Sequence, residues 1–458
     1  MTHTRRFALR ALLSFSCGLV GASQHAAAAV SAEEAAKLKT VLTPMGAERA
    51  ANKDGSIPAW DGGDTKVPPG YKSGDPRPDP YASEKPLFSI TAKNMAQYDD
   101  KLAEGVKGLL KKYPDQFRVD VYPTHRTAAA PQWVYDNTFK NATRAKTKEG
   151  GTWIEGAYGG IPFPIPKSGS EAMWNHLLAW VGSSTSIIYQ NWVGLPDGRR
   201  VLTAKGYNLV QYPYYDPKGS LETFKGVYEL LRVAQTDPPY KSGEQVLAVD
   251  SVDKPRQAWQ YLSGQRRVRK GPTIGYDTPD DITGGQMGFD EAFIFWGPID
   301  RYDWKLVGKK EVFIPYNNAK LHAAPLDQQH GPVSLNPDLV RWELHRVWVV
   351  EAELVAGKRH NMPKRRFYLD EDTWGAVLAD GYDAHGTLWH ADMSMPFVVP
   401  EGPFVHPTLY WTVFNLLTGT RVSAAGPDYP KGPYMKVLDK MLPESAFTPD
   451  ALAGEGIR

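Results

Sequence analysis

Cysteine is almost missing from this chain. One residue in 458, Cys17, is a cysteine, and it lies inside a leader-like start. Once that start is removed no thiol remains, which leaves no disulfide, no cysteine nucleophile and no thiolate metal site. An excess of charge is missing too: 53 Lys and Arg face 51 Asp and Glu. Taking away Arg5, Arg6 and Arg10, with no acids before Val30, leaves 50 against 51, a formal charge of −1 for the mature chain. That balance gives no nucleic-acid footprint. Beyond the leader no run approaches 18 consecutive apolar residues, so a soluble mature protein is expected. The local signatures of common catalytic sites are also missing: there is no Gly-x-Ser-x-Gly elbow, no Gly-x-x-x-x-Gly-Lys loop and no His-Glu-x-x-His.

The first 29 residues are informative about location. Arg5, Arg6 and Arg10 precede an apolar stretch from Ala11 to Ala22 and the small-residue tract Ala26 to Ala29. This is the pattern of a secretory signal peptide, too short to span a bilayer, with cleavage expected near Ala29 and a periplasmic destination. Arg5-Arg6 fits either an ordinary n-region or a twin-arginine leader. Cys17 lacks the Leu three positions ahead that lipoprotein processing needs, and is expected to leave with the leader.

Aromatic and turn-forming residues are abundant, with 14 Trp, 23 Tyr and 16 Phe beside 42 Gly and 37 Pro. That mixture predicts many strands and long ordered loops. Ser31 and Glu34 form a capping box for a short helix stopped by Pro44. Asn52 to Pro80 reads as a long irregular arm, and Asn94 to Tyr113 as one amphipathic helix closed by Pro114. From Pro131 the alternation of Trp133, Tyr135 and Phe139 predicts a strand, and Ser168 with Glu171 a second capping box. Strands are predicted over Ser186–Val193, Arg200–Tyr214, Gly226–Ala234, Glu244–Ser251 and a hairpin about Ser263-Gly264.

Alternation is strongest over Arg301–Tyr316 and Arg341–Leu354. Trp304, Leu306, Trp342, Leu344 and Trp348 fall on one side, with Asp303, Lys305, Glu343 and His345 on the wet side. Hairpin strands Lys364–Leu369 and Thr373–Asp380, turning at Asp370-Glu371-Asp372, and the strand Thr387–Met395 extend the meander. Strands of about 14 to 16 residues, against a usual mode of about 5 to 6, predict a large, strongly curved antiparallel sheet. The fold class is therefore mainly β with α. The expected organisation is a signal peptide (1–29), a helical and irregular arm (30–125) and a curved sheet body (126–458) whose apolar face a helix or a ligand must cover.

Two motifs carry a resemblance. The first comprises Pro44, Gly46, Glu48, Arg49, Asn52, Asp54, Gly55, Ile57, Pro58 and Trp60, and the second Arg366, Tyr368, Asp370 and Trp374. With Ala157–Pro164 and Gln257–Tyr261 they resemble a bacterial family of exported proteins of unknown function, over nearly the whole mature chain. That family is similar to an enlarged, distant relative of the outer-membrane lipoprotein-sorting carriers LolA and LolB. The resemblance implies a half-open sheet with a helical lid and a periplasmic binding or carrier role. It also implies an exporter of the resistance-nodulation-division type, or an outer-membrane protein, as partner. It transfers no functional residue, and the chain is more than twice the usual size of the small carriers.

On the residues alone, Trp304, Leu306, Trp342, Leu344, Trp348 and Trp374 are the cavity candidates, with core packing the competing reading. Arg346 interrupts the apolar side of its strand, as a headgroup anchor, in a buried ion pair or near the sheet rim. His385 and His390 near Asp380, Asp383 and Asp392 match no closed metal pattern and read as a polar turn. Asp277, Asp280, Asp281, Asp290 and Glu291 are where a pair of glycan-cleaving carboxylates would sit, with a solvated acidic loop as the plainer account. The expectation is a carrier for a lipid or other hydrophobic molecule, without cofactor, metal or catalysis. An assembly factor docking through the Asn52–Pro80 arm is the first alternative, and a glycan-acting enzyme the second.

Overall fold

The computed structural model describes residues 29–271, 274–427 and 434–455. Apart from Ala29, the expected leader lies outside the described residues. Sixteen strands join in one sheet. From one edge the order runs Phe88–Ile90, Val119–Val121, Trp342–Leu354, Lys364–Asp370, Ala376–Tyr382, Leu388–Ser394, Trp411–Asn415 and Arg421–Gly426. It then continues through Ser184–Gly194, Arg200–Gln211, Val227–Asp237, Gln245–Ser251 and Gln257–Leu262 to Arg267–Lys270. Tyr302–Pro315 adds to Trp342–Leu354, and Met435–Val437 to Ser184–Gly194. The long ladders are antiparallel, with one parallel contact between Trp342 and Val121. The two edges do not pair, so the sheet is open. No helix of the described residues is long and apolar enough to cross a membrane.

The two long strands expected from alternation are present, with 14 and 13 residues, and pair from Tyr302 opposite Leu354 to Pro315 opposite Trp342 across a bulge at Gly308. The expected wet side is kept at one end of the pair, where Asp303 and Lys305 and, opposite Asp303, Glu353 are exposed. Along Trp342–Leu354 the expectation is corrected: Glu343 and His345 are 0% and 1% exposed. The reason is a second layer. One hydrophobic cluster joins Trp174, Tyr189, Phe295, Phe367 and Trp374, while another joins Leu109, Trp342, Val347, Val349 and Met393. With both faces covered, polar side chains on these strands are buried and must find partners inside.

Three local expectations are also corrected. Residues Gln132–Arg144 form a helix, not a strand, because Val134, Thr138, Asn141 and Ala142 recur at the helical period and are the buried ones. The i, i+2 spacing of Trp133 and Tyr135 was the weaker signal. Asn94–Tyr113 is broken: a 3₁₀ segment Met95–Lys101 ends at extended Leu102, and an α-helix Glu104–Lys112 follows. That helix lies close on the sheet, since a Cβ at Gly105 would stand 2.7 Å from the Ala391 Cβ. At Gly169–Leu177 the Ser168 hydroxyl caps the Glu171 amide at 3.2 Å, but the Glu171 carboxylate accepts from Lys167 N at 2.5 Å, so the box is shifted by one residue. The Ser31–Glu34 box forms as expected.

Candidate ligand-binding site and buried charge clusters

The two sequence motifs, more than 300 residues apart, meet in space. The Trp374 indole donates to Met45 O at 2.7 Å, the Glu48 amide to the Glu371 carboxylate at 3.3 Å, and Arg346 to Ala50 O at 3.0 Å. Gly46 is required here: its φ is +100° and a Cβ would lie 2.0 Å from Pro164 O. Asn52 holds the following turn by accepting from Ile57 N at 2.9 Å and ties it to Glu311 at 3.1 Å, while Asp54 accepts from Ser56 N at 3.0 Å. Arg49 lies over the Trp60 ring, and Trp60 donates to Ala128 O at 2.9 Å. Arg126 reaches Pro58 O at 3.3 Å. In the second motif Arg366 binds Glu351 and Tyr368 donates to Asp380 at 2.8 Å. The first motif's contacts attach the arm to the body, whereas those of Arg366 and Tyr368 tie neighbouring strands of the sheet.

The attachment centres on a buried ion network. Arg126 grips Asp372 with two bonds, at 2.9 and 2.6 Å. Glu371 receives Arg126, Arg346 and Lys309 at 3.4, 3.1 and 2.8 Å. Arg346 is thus in a buried ion pair. His345 stands between Glu343 at 3.1 Å and Asp370 at 3.6 Å, and Arg341 pairs with Glu343 at 2.5 Å. Burial lowers the His345 pKa, but Asp370 and Glu343 outweigh it and raise it to about 9. Burial pushes Glu371 up, with Asp372 adding to it, against Lys309 and Arg126. The acid triplet is a turn, as expected, and also the hub of this network.

The aromatic cavity candidates do not share one wall. Trp304 donates to Ile299 O at 2.7 Å and meets Phe295 edge to face at 5.2 Å; with half-buried Leu306 it belongs to the first cluster. Trp348 and Trp374 stack at 6.0 Å on that same side. Trp342 and Leu344 belong to the second cluster, with Trp342 edge-on to Phe117. A 13-residue strand crosses two core clusters, and period-2 spacing does not reveal where one gives way to the other.

The sheet face carrying the first cluster is filled by the segment from Ile274 to Ile299. Phe293 and Ile294 hold left-handed backbone, φ 52° and 71°, which is strained for non-glycine residues and worst for β-branched Ile294. Phe293 and Trp296 separate two small cavities of about 50 and 60 Å³. His176 fixes the segment: its Nδ1 accepts from Ala376 N at 3.0 Å, which makes Nε2 the protonated nitrogen donating to Phe295 O at 2.8 Å. Burial depresses its pKa to about 4. The expectation of a solvated acidic loop is corrected here, since Asp280, Asp290 and Glu291 are all buried and Glu291 reaches His390 at 2.5 Å. Asp383 through Gly386 is the polar turn expected of that region, with Asp383 accepting from His385 N and Thr387 N. His390 and Asp392 are buried in the strand behind it.

A roomy cleft lies under the arm. A cleft of about 710 Å³ runs between arm residues Val67, Pro68, Pro78 and Tyr81 and body residues Ala319, Val398 and Pro400. Asp64, Lys66 and Arg77 also line it. Prolines supply stiff apolar walls that lack backbone donors. Arg77 ties the arm to Glu401 at 2.8 Å and to Met435 O at 3.3 Å, and its Nε has no partner. Tyr71 and Ser73 also reach Glu401, each at 3.1 Å. A more polar cleft of about 380 Å³ continues past Asp64, Lys66 and Tyr81 toward His125 and Thr127. The arm's run of prolines was visible in the sequence. Its partners, some 250 to 360 residues away, were not.

Comparison with known proteins places the chain. The model of the family described as "Protein of unknown function (DUF1329)" matches residues 89–453. The chain is 41% identical over 451 residues to "Uncharacterized protein PA3922" of Pseudomonas aeruginosa, covering 94% of this chain and 95% of that protein. Among solved structures it is similar to a DUF1329 family protein from Desulfovibrio piger, with 13% identity, 59% of this chain and 92% of that chain covered and a TM-score of 0.40. It is also similar to the LolA superfamily protein NE2245 from Nitrosomonas europaea, with 13% identity, 62% and 100% covered and a TM-score of 0.37. A family match through most of the chain, with a relative at 41% identity over nearly all of it, shows that the chain belongs to the DUF1329 family.

Proposed function

We propose that the protein is a non-catalytic binding protein of the periplasm that carries an apolar molecule in the cleft under its N-terminal arm. The observation that carries this reading is the cleft itself. Its volume, about 710 Å³, falls in the range of ligand pockets, about 300 to 1,000 Å³, and its walls are proline, valine and tyrosine. Lys66 favours a ligand whose polar end is anionic or a hydrogen-bond acceptor, beside Asp64 and an Arg77 already paired with Glu401. Burying ~200 Å² of apolar ligand surface would contribute ~5 kcal/mol before ordering costs, which supports micromolar binding with a few polar anchors. Binding by sequestration needs no covalent step. The leader directs this activity to the envelope, where an exporter of the resistance-nodulation-division type or an outer-membrane protein would receive or deliver the cargo.

Titration of the mature protein with a fluorescent long-chain fatty acid tests the reading. Saturable binding at one site is expected, weakened at least tenfold by Ala319→Trp, which fills the cleft. Absence of saturable binding, or equal binding by a folded Ala319→Trp variant, would contradict it.

A further inference from the structure

Two groups of a histidine and carboxylates are buried in this sheet, and they differ in what surrounds them. His345, Asp370 and Asp372 form one; Glu291, His390 and Asp392 form the other. The first lies within the arginine network that attaches the arm. The second brings one carboxylate from the Ile274–Ile299 segment against two side chains of the Leu388–Ser394 strand. Each residue offers a ligand atom within 4.8 Å of the others, and Glu291 also holds His390 Nδ1 at 2.5 Å; small side-chain shifts would bring the donors to the roughly 3.3 to 3.6 Å that nitrogen and oxygen ligands adopt around a tetrahedral zinc ion.

The second group has unused ligand capacity. Glu291, His390 and Asp392 are 0%, 3% and 2% exposed. The His390 Nε2 and the Asp392 Oδ1 are buried without a hydrogen-bond partner. Nearby, Asp290 binds His360 at 2.9 Å and Arg365 at 3.3 Å. Arg365 is the cation facing this group, and it is shared: it reaches Ile294 O at 3.4 Å and lies over Phe367 and Phe295. Three carboxylates, Asp290, Glu291 and Asp392, therefore share one guanidinium and the imidazoles of His360 and His390. Buried charge left uncompensated is costly, and buried polar atoms in native proteins are satisfied.

We propose that Glu291, His390 and Asp392 bind a first-row divalent metal ion that fastens the Ile274–Ile299 segment to the sheet. The ion supplies the missing positive charge and occupies the orphaned donor atoms. One imidazole with two carboxylates suits zinc or manganese better than calcium or magnesium, which take oxygen ligands. Glu291 is two residues from Phe293, so the ion would hold the strained Phe293-Ile294 turn in place over the sheet.

The test uses untagged mature protein stripped with a chelator, then titrated calorimetrically with Zn²⁺ and, separately, Mn²⁺. One ion per chain is expected, bound at least tenfold more weakly by His390→Gln and by Asp392→Asn and unchanged in His345→Gln. Amide exchange over residues 288–296 should slow when Zn²⁺ is added to the wild type. Asp392→Asn keeps the side-chain shape, so it decides the matter if His390→Gln does not fold. No stoichiometric binding by the wild type, or binding unchanged in Asp392→Asn, overturns the proposal.

Discussion

Two long segments cover the sheet, the Pro44–Tyr81 arm and the Ile274–Ile299 segment, and they do so by opposite means. The arm is fixed by charged groups: Arg126, Arg346 and Lys309, which answer Asp372 and Glu371, also reach Pro58 O, Ala50 O and Glu48, and Arg77 pairs with Glu401, while about 710 Å³ is left beneath the stretch between. The Ile274–Ile299 segment is pressed onto the sheet, leaving cavities of about 50 and 60 Å³, and its charge group keeps unpartnered atoms. Ion pairs fix the ends of a segment and permit a void between them, and here too one buried oxygen, Asp370 Oδ1, has no hydrogen-bond partner. A segment held by packing leaves no void, and its surplus is in charge.

The contrast can be broken most sharply by removing one ion from each group. Arg126→Met strands Asp372 and Glu371 in the interior and is expected to cost about 3 to 5 kcal/mol, read by denaturant unfolding. Asp392→Asn removes a charge that already lacks full compensation and, in metal-free protein, should change stability by no more than about 1 kcal/mol. Equal losses would erase the distinction between the two groups.

A pH series is the next test. His345 has its folded pKa raised to about 9, above its unfolded value of about 6.5. Its contribution is therefore complete below about pH 6.5 and is lost as pH rises through 9, a decline on the order of 3 kcal/mol. In His345→Gln this alkaline decline should be absent; a wild type equally stable at pH 6 and pH 9.5 would count against a charged His345 in the network. A smaller effect is expected from Trp374→Phe, which leaves Met45 O unpaired and loosens the motif contact by about 1 to 3 kcal/mol. The smallest is Lys66→Glu at the cleft: fatty-acid affinity should fall about threefold to tenfold while a neutral long-chain alcohol binds as before, a difference of about 1 kcal/mol.

Much of this architecture was legible in the sequence because strands carry their own period. The 14- and 13-residue strands, the hairpin at Asp370–Asp372 and the Ser31 cap all follow from local spacing. The Gln132–Arg144 helix was misread where two aromatics two residues apart masked a helical set of smaller residues. Burial of Glu343 and His345 was invisible because alternation reports chemistry on one strand, while the second covering layer comes from residues far away. The same limit applies to the sites. His390 and Asp392 were read as part of a polar turn, and Glu291 as part of an acidic loop 99 residues earlier in the chain. Only the fold makes them one group.

The central claim is that the cleft under the arm carries an apolar cargo. It is tested most directly by extracting the protein, purified from the cells that natively make it, with organic solvent and weighing it before and after by native mass spectrometry. The account predicts a stoichiometric lipid or other hydrophobic molecule in the wild type that is missing from a folded Ala319→Trp variant. A wild-type protein of unliganded mass, or cargo retained in full by that variant, would contradict it.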